Sequence, residues 1–388
     1  MSIRRKSLAR SLLIATLLFP LVSFAQTFTS IVTAVGNNKQ LQVIALSSEG
    51  APYVAAFLNT SGTWQTAGEM PTSGANPAFT ALVTGEGHQD TNEAVPQVIG
   101  LGTDEYAYLA DYQDASGTWH AGGLLPGGNI TTFKQLLTGV GNKSTLQVIG
   151  LGTNGLAYVV AYQDTSGNWY SGGELPGQGT VFSSLVTGQG HGSGLLQVIG
   201  EANGTLYLTA FQDSNSGTWY ASGTLPNSSP TAIALATANG NSSNLQVIGL
   251  AQSNEYLYLE DWQNGSGTWS GAGELPGQGT ALSAIVSGVG NGNLQVGGLG
   301  ASDHLLHMTS WLSGGGSGAG TWYALTPIAQ YNATVTQLVS GNGIDSQGYS
   351  TLNILGLGTN GHIELITYQN HNNTWIAGGD LSTTSITE

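Results

Sequence analysis

The stretch LQVIGLGTNGLAYVVAYQDTSGNWYSGGELPGQG, from Leu146 to Gly179, decides the fold, because related copies of it recur along most of the chain. The simplest marker of a copy is a tripeptide of Gly or Asn, then Thr or Asn, then Trp. This marker ends at Trp64, Trp119, Trp169, Trp219, Trp269, Trp322 and Trp375. Consecutive copies are 50 to 55 residues apart, a period that is typical of repeat architectures.

Each period contains four short strand-like segments, which the third copy shows most clearly. They are TFKQLLTG (132–139), LQVIGLG (146–152), LAYVVAY (156–162) and NWYSGGEL (168–175). Short strands at this spacing, separated by turn residues, indicate an all-β protein. The pair Asn154-Gly155 predicts a tight hairpin in which both residues take a positive φ. Asp164 is expected to cap the following turn with its side chain.

Four strands in each of seven periods predict an all-β, seven-bladed β-propeller with four antiparallel strands per blade, because radial closure buries both faces of every small sheet. A single propeller is predicted over residues 26–388. Its repeat units are expected at approximately 27–74, 75–128, 129–178, 179–228, 229–278, 279–328 and 329–388. The sequence leaves open which strand is innermost and whether strands from both termini close the ring.

Residues 1–25 have the pattern of a secretory signal peptide, with a basic start, an apolar stretch and small residues up to Ala25. We expect a soluble, secreted protein that is extracellular, or periplasmic in a Gram-negative source, and that does not insert into a membrane. After this segment the chain has three lysines, no arginine and 22 carboxylates, which argues against nucleic-acid binding. It has no cysteine, which excludes disulfides and thiolate metal sites.

The run from Leu146 to Tyr158, the following aromatic-Gln-Asp and the Gly-Asn-Trp and Leu-Pro motifs resemble the repeat of seven-bladed propeller lectins of the Photorhabdus lectin type. The resemblance spans Thr27 to about Leu381. It implies several carbohydrate sites per molecule and a preference for fucosylated or O-methylated glycans. The lack of arginine and the few charged residues depart from that family. The segment from Asp164 to Trp169 is also similar to the Asp-box hairpin of sialidase-type propellers, and we interpret it as a blade turn.

The predicted ligand-binding residues lie where blades meet, because an indole ring offers a flat face on which a sugar can stack. They begin with the seven marker tryptophans and include residues that follow a marker, two further tryptophans and two carboxylates at the end of the fourth strand. In full they are Trp64, Trp119, Trp169, Trp219, Trp269, Trp322, Trp375, Tyr170, Tyr220, Tyr323, Trp262, Trp311, Glu174 and Glu274. Packing between blades is the alternative role of the tryptophans, and solvated surface charge that of the carboxylates.

Two further columns of side chains have structural interpretations. Tyr158 and Tyr162 illustrate a pair of aromatic columns four residues apart, which predicts one shared face packed in the core. Gln147 illustrates an amide that recurs at one strand position in six units, with Asn353 in the seventh, and predicts a ladder that joins strands.

The leading functional hypothesis is therefore a secreted, multivalent carbohydrate-binding protein with shallow sites between blades and no catalysis. No cofactor and no metal site are predicted, and a homo-oligomer is left open. Two alternatives are a propeller that binds another protein and a polysaccharide lyase or glycoside hydrolase. The sequence shows no acid pair that stands apart from the repeat, so we expect no enzyme.

Overall fold

Seven small antiparallel sheets are arranged in a ring, which confirms the predicted seven-bladed propeller. The structure is a computed structural model. It describes residues 27–71, 74, 76–89, 91–177, 179–190, 195–213, 216–226, 231–239, 244–312 and 321–381. The predicted signal peptide, residues 1–25, lies outside the described residues. No helix in the described part of the chain has the length and apolar character needed to cross a membrane.

The first three blades are each built from one repeat. Blade 1 contains β1 (Phe28–Val35), β2 (Leu41–Ser47), β3 (Pro52–Leu58), β4 (Trp64–Gln65) and β5 (Gly68–Glu69). Blade 2 contains β6 (Phe79–Gln89), β7 (Thr91–Gly102), β8 (Ala107–Gln113) and β9 (Trp119–Leu124). Blade 3 contains β10 (Phe133–Val140), β11 (Leu146–Gly152), β12 (Ala157–Gln163) and β13 (Trp169–Glu174). Short 3₁₀ turns at Asn37–Lys39 and Asn142–Ser144 join first to second strands in blades 1 and 3.

The other four blades follow the same order. Blade 4 contains β14 (Ser184–Gly190), β15 (Leu195–Ala202), β16 (Thr205–Gln212) and β17 (Trp219–Ala221). Blade 5 contains β18 (Ala232–Asn239), β19 (Leu245–Ala251), β20 (Leu257–Gln263) and β21 (Trp269–Glu274). Blade 6 contains β22 (Leu282–Gly290), β23 (Asn293–Gly300), β24 (Leu306–Leu312), β25 (Thr321–Trp322) and β26 (Thr326–Pro327). Blade 7 contains β27 (Val335–Ile344), β28 (Ser350–Gly358), β29 (Ile363–Gln369) and β30 (Trp375–Asp380).

The first strand of every blade is innermost, and these seven strands contact one another around the axis. A circle of hydroxyl groups joins them, because each Thr or Ser at one strand position donates a hydrogen bond to the backbone carbonyl of its equivalent in the preceding blade. Thr33 donates to Ser340 and so closes the circle between blades 7 and 1. The seven donor–acceptor distances are 2.5–3.3 Å. The ring therefore closes through these side chains, and among the described residues each blade consists of strands that are consecutive in sequence.

Removal of one hydroxyl from this circle should weaken the ring measurably. The Oγ1 of Thr84 donates to the carbonyl of Thr33 at 2.5 Å. We expect Thr84→Val, which keeps the shape of the side chain, to lower the free energy of unfolding by about 1 kcal/mol, the typical net value of one hydrogen bond. Thr84→Ser should retain most of the stability, because serine serves in blades 6 and 7. Equal unfolding midpoints for the Val and Ser variants in urea would contradict this role.

The core consists of layers between neighbouring blades. One layer combines Leu109 of blade 2 with Val148 and Val160 of blade 3, and others repeat the arrangement up to the layer that joins blades 7 and 1. The second strands are buried along nearly their whole length in six blades, and residues 95–102 of the second strand of blade 2 are buried as well. Apolar side chains are therefore needed on both faces of these strands, as the repeat predicts.

The amide ladder is confirmed, and it joins neighbouring blades. A second-strand glutamine donates to a glutamine at the end of the third strand of the next blade, at 2.5–3.4 Å in five pairs: Gln42 with Gln113, Gln97 with Gln163, Gln147 with Gln212, Gln197 with Gln263 and Gln295 with Gln369. Leu58 and Trp311 occupy the third-strand position in blades 1 and 6. Five blade junctions therefore share a buried hydrogen bond between side chains.

Two local predictions need correction. The turn at Asn154-Gly155 has a positive φ only at Gly155 (78°), because a backbone hydrogen bond from Gly152 to the carbonyl of Leu156 makes the loop longer than a two-residue hairpin. The paired aromatic columns do not share one face. A register shift between the second and third strands of blade 3 leaves Val160 without a partner in β11, so that Tyr158 lies opposite Gly150 but Tyr162 lies opposite Gln147. Such a β-bulge reverses the alternation of faces.

Candidate functional site

The β-bulge decides which side chains meet between blades. In blade 3 it leaves Tyr158 in the core layer shared with blade 2 and turns Tyr162 towards blade 4. Register shifts at the same place occur in blades 1, 2, 4, 5 and 7. Blade 6 has no such shift. Six junctions therefore receive an aromatic side chain from the third strand of one blade and a marker tryptophan from the next, whereas Ser310 holds this third-strand position in blade 6.

The marker tryptophans lie at these junctions, and they differ in exposure. Trp64 is buried at 2% exposure, and the other six are partly buried against the core layers. The Nε1 atoms of Trp269 and Trp322 are buried and have no hydrogen-bond partner within the described residues. Packing is thus one role of these side chains, and the partly buried members also reach the surface between blades.

The additional tryptophans of blades 5 and 6 come together with a marker. Trp262 and Trp311 both pack against the layer between blades 5 and 6, where the rings of Trp311 and Trp322 meet edge to face with centroids 5.5 Å apart. Trp311 faces blade 5 because blade 6 lacks the bulge. These three side chains therefore form an aromatic cluster in this junction.

A cleft with a volume of about 500 Å³ opens between blades 3 and 4. Tyr162 of blade 3 and Trp219 of blade 4 line it, with Val159 and Leu175 as apolar neighbours. Its polar lining includes side chains from both blades: Asn142, Lys143, Gln147, Gln163, Asp164, Glu174, Gln212 and Ser216. The volume and the mixture of apolar surface with a few polar groups are typical of small-molecule sites.

Asp164 is held in place by the turn that begins with it. Its Oδ1 accepts hydrogen bonds from the backbone N–H groups of Ser166 (2.8 Å) and Asn168 (2.9 Å). These contacts, above all that from Asn168, lower the pKa of Asp164 below its ordinary value. Its Oδ2 accepts a hydrogen bond from the hydroxyl of Tyr170 at 3.1 Å. The carboxylate is therefore ionised and oriented at the rim of the cleft, and its turn is a blade turn as predicted.

Tyr170 and Tyr162 form a stacked pair beside Asp164. Their ring centroids are 5.5 Å apart at an interplanar angle of 22°, and the side chains remain 45% and 38% exposed. The hydrogen bond to Asp164 raises the pKa of Tyr170, so its hydroxyl stays protonated and donates to Asp164. Similar stacked pairs occur in blade 2, between Tyr112 and His120, and in blade 4, between Phe211 and Tyr220.

The two predicted carboxylates occupy equivalent positions in different blades. Glu174 lies opposite Tyr158, and Glu274 lies opposite Tyr258. Both are exposed, and Glu174 lines the cleft. Leu124 is the equivalent residue in blade 2. The cleft between blades 3 and 4 therefore combines Glu174 with Asp164 and with Lys143, one of only three lysines after residue 25.

The cleft brings together some of the predicted site residues and adds others. Trp219 and Glu174 line it directly, and Tyr170 supports it through Tyr162 and Asp164. The remaining predicted residues are distributed over other junctions and blades: Trp64, Trp119, Trp169, Trp269, Trp322, Trp375, Tyr220, Tyr323, Trp262, Trp311 and Glu274. Tyr162 was not predicted as a site residue, because the bulge that exposes it has no clear sequence signature. Lys143 was not predicted either, and its rarity was the available signal.

Comparison with known proteins gives the fold alone. No protein-family model matches the sequence, and no curated protein matches it. The chain is similar to a mutant of AofleA from Arthrobotrys oligospora, with 15% identity, coverage of 82% of this chain and 91% of the other, and a TM-score of 0.50. It is also similar to the polysaccharide lyase Uly1, with 10% identity, coverage of 92% and 88%, and a TM-score of 0.50.

A third similar structure is the SapL1 lectin in complex with alpha methyl fucoside. It has 17% identity, covers 78% of this chain and 97% of the other, and has a TM-score of 0.46. A fucose-binding lectin is thus among the structural neighbours, while no family match supports the Photorhabdus lectin type, and that resemblance stays a prediction.

The prediction that the protein is not an enzyme is contradicted, because a polysaccharide lyase is among the structures with this fold. In the sequence, no acid pair stands apart from the repeat. In the structure, strand pairing places such acids at particular junctions: Glu174 lines the cleft, whereas Leu124 holds the equivalent position in blade 2. Repeat symmetry in the sequence therefore does not exclude catalysis on this fold.

Proposed function

We propose that the protein binds carbohydrate in the cleft between blades 3 and 4. The observation that carries this proposal is the meeting of Tyr162 and Trp219 with Asp164, Glu174 and Lys143 around a volume of about 500 Å³. The aromatic rings offer apolar faces on which the C–H bonds of a sugar can stack. The charged groups offer acceptors and a donor for its hydroxyl groups. This combination suits a neutral, hydroxyl-rich ligand.

The geometry also favours a surface-accessible glycan over a buried small molecule. Tyr170, Asp164 and Glu174 lie at the exposed edge of the cleft. A chain end of an oligosaccharide can enter such an edge while the rest of the glycan stays in solvent. Binding at the other six junctions, and thus multivalency, stays a prediction. So does export of the protein, which would bring the cleft into contact with glycans outside the cell.

Glu174→Gln is the sharpest test of this proposal, because it removes a charge from the cleft and leaves the size of the side chain unchanged. We expect affinity for the bound glycan to fall about 10-fold or more, as a charge-assisted hydrogen bond is lost. The measurement is a glycan array that contains fucosylated and O-methylated glycans, followed by titration calorimetry with the best ligand.

Glu274→Gln is the matched control, since Glu274 holds the same register position in blade 5. It should leave affinity within 2-fold of the native value if the cleft in blade 3 is the site. An array without ligands, or equal losses from both variants, would reject the cleft as a carbohydrate site. The same glycans should also be tested for cleavage, because binding and turnover are separate outcomes.

A further inference from the structure

Asp111 is a buried carboxyl group that has no hydrogen-bond partner among the residues that the structure describes. It lies in β8 opposite Val98, directly after the bulge of blade 2, with 1% exposure. Neither Oδ1 nor Oδ2 has a hydrogen-bond partner within the described residues. A buried polar group in this state costs free energy. Folding therefore does not account for an aspartate at this position.

Other blades show that the position does not require an acid. The residues with the same pairing are Ala56 in blade 1, Ala161 in blade 3 and Ala210 in blade 4. Blade 5 has Asp261 there, but Asp261 has an interaction partner. Alanine is thus compatible with the blade, and Asp111 differs from Asp261 in the lack of a partner. This difference points to a ligand.

Asp111 lines a cavity with a volume of about 230 Å³ between blades 1 and 2. The walls are largely apolar and include Pro52, Pro77 and Phe79. Asn76 also lines the cavity, and its buried Oδ1 has no hydrogen-bond partner within the described residues. The cavity therefore presents three oxygen atoms that have no hydrogen-bond partner in the described part of the chain, and its walls are largely apolar.

This cavity is separate from the carbohydrate cleft. Residues 49–52, between the second and third strands of blade 1, and residues 76–79, which lead into blade 2, line it. The cleft is lined instead by residues of blades 3 and 4. No residue that lines the cleft also lines the cavity. A ligand in the cavity would therefore act independently of the proposed carbohydrate site.

We propose that the cavity between blades 1 and 2 binds a small primary ammonium ion with a short alkyl body. A primary ammonium group has three donors and no acceptor, which matches the two oxygens of Asp111 and the Oδ1 of Asn76. A short alkyl chain can pack against the proline and phenylalanine walls, and a cation can also interact with the Phe79 ring. Exposed Glu49 lines the same cavity, and the net charge of −15 attracts cations.

The test is thermal unfolding of the full chain at pH 8 with propylammonium chloride. We expect the midpoint of the native protein to rise by about 3 °C or more at saturation. Propan-1-ol has one donor and tetramethylammonium chloride has none, so at matched concentration and ionic strength both should change the midpoint by less than about 1 °C. Equal shifts from propylammonium and tetramethylammonium would mean non-specific ion binding and overturn the proposal.

Two variants at Asp111 complete the test. Asp111→Ala, which introduces the residue of blades 1, 3 and 4, and Asp111→Asn, which keeps the size of the side chain, should both lose the ammonium-dependent shift. Asp261→Asn, in the equivalent position of blade 5, should retain it. Persistence of the shift in both Asp111 variants, or its absence in the native protein, would overturn the proposal. Because the cleft of blade 3 is untouched, glycan binding by these variants is scored separately.

Discussion

Asp111→Ala is expected to make the protein more stable above pH 7. Desolvation by burial raises the pKa of Asp111 from 3.8 to about 7. A carboxyl group whose pKa is raised by folding keeps its proton in the folded state at a pH where the unfolded chain has lost it. The folded state therefore becomes less favourable as the pH rises from about 4 to 7. Alanine has no proton to lose and escapes this penalty.

The size of the effect follows from the two pKa values. A change from 3.8 to about 7 corresponds to roughly 4 kcal/mol of destabilisation at pH 8, and to almost none at pH 3.5. The difference in unfolding free energy between Asp111→Ala and the native protein should thus grow between pH 4 and 7 and then level off. Guanidinium unfolding at half-unit intervals of pH, without added amines, measures it. Glu49 is the other ionisable group that lines the cavity.

Glu49→Gln distinguishes the contribution of Glu49 from that of Asp111. Because Glu49 is exposed, its replacement should leave the dependence of the unfolding free energy on pH nearly unchanged. Asp261→Ala is the structural comparison, since Asp261 holds the same position in blade 5 and has an interaction partner, and we expect no gain in stability from it. A constant difference between Asp111→Ala and the native protein from pH 4 to 8 would show that the raised pKa is absent. A residue that lowers stability and can be replaced by alanine is the pattern expected of a functional site.

The fold could be predicted from the sequence because its determinants are local and repeated. Trp169 and Gln147 each have a counterpart in all seven repeats. The same blade geometry is therefore indicated seven times, and one irregular repeat changes the prediction little. Closure could not be predicted, because it depends on which strand faces the axis. The hydroxyl circle through Thr33, Thr84 and Thr138 settles this point, but in the sequence these residues are ordinary strand threonines.

The candidate site could be predicted only in part, because it depends on departures from the repeat. Trp219 and Glu174 could be predicted from their positions in the repeat. Tyr162 could not, because a bulge of one residue at Val160 moves it from the expected core face to the next junction. The role of Asp111 could not be predicted either, since the sequence does not indicate whether the oxygens of an aspartate on a strand have partners.

Gln163→Leu is expected to lower the free energy of unfolding by about 3–5 kcal/mol. Gln163 is 1% exposed and serves three groups. Its Oε1 accepts from the backbone N–H of His88 at 2.7 Å and from the Nε2 of Gln97 at 2.9 Å, and its Nε2 donates to the carbonyl of Gly167 at 2.8 Å. Leucine leaves all three groups without this partner, of which the Gln97 amide is buried and the other two are partly buried, at about 1–3 kcal/mol each before relaxation.

Blade 1 has leucine at the equivalent position, and the reason it is tolerated there sharpens the prediction. The second-strand amide that precedes Leu58 in the ladder is Asn353 of blade 7. The Nδ2 of Asn353 donates to the Oγ1 of Thr351 at 3.0 Å and so does not need a glutamine at the position of Leu58. Gln97 lacks such a substitute: its Oε1 is buried without a hydrogen-bond partner in the described part of the chain, and its Nε2 donates to Gln163. A lone leucine is therefore expected to be costly between blades 2 and 3.

A double-mutant cycle tests whether the cost arises from the Gln97–Gln163 pair. Replacement of both partners of a buried hydrogen bond by apolar groups is less costly than replacement of one. We therefore expect Gln97→Leu/Gln163→Leu to be more stable than the sum of the two single changes predicts, with a coupling energy of about 1–2 kcal/mol. Urea unfolding with unchanged m-values is the appropriate measurement. If the two changes are additive, the loss of stability comes instead from the backbone groups of His88 and Gly167. These groups lack Gln163 as a partner in both Gln163→Leu and the double variant.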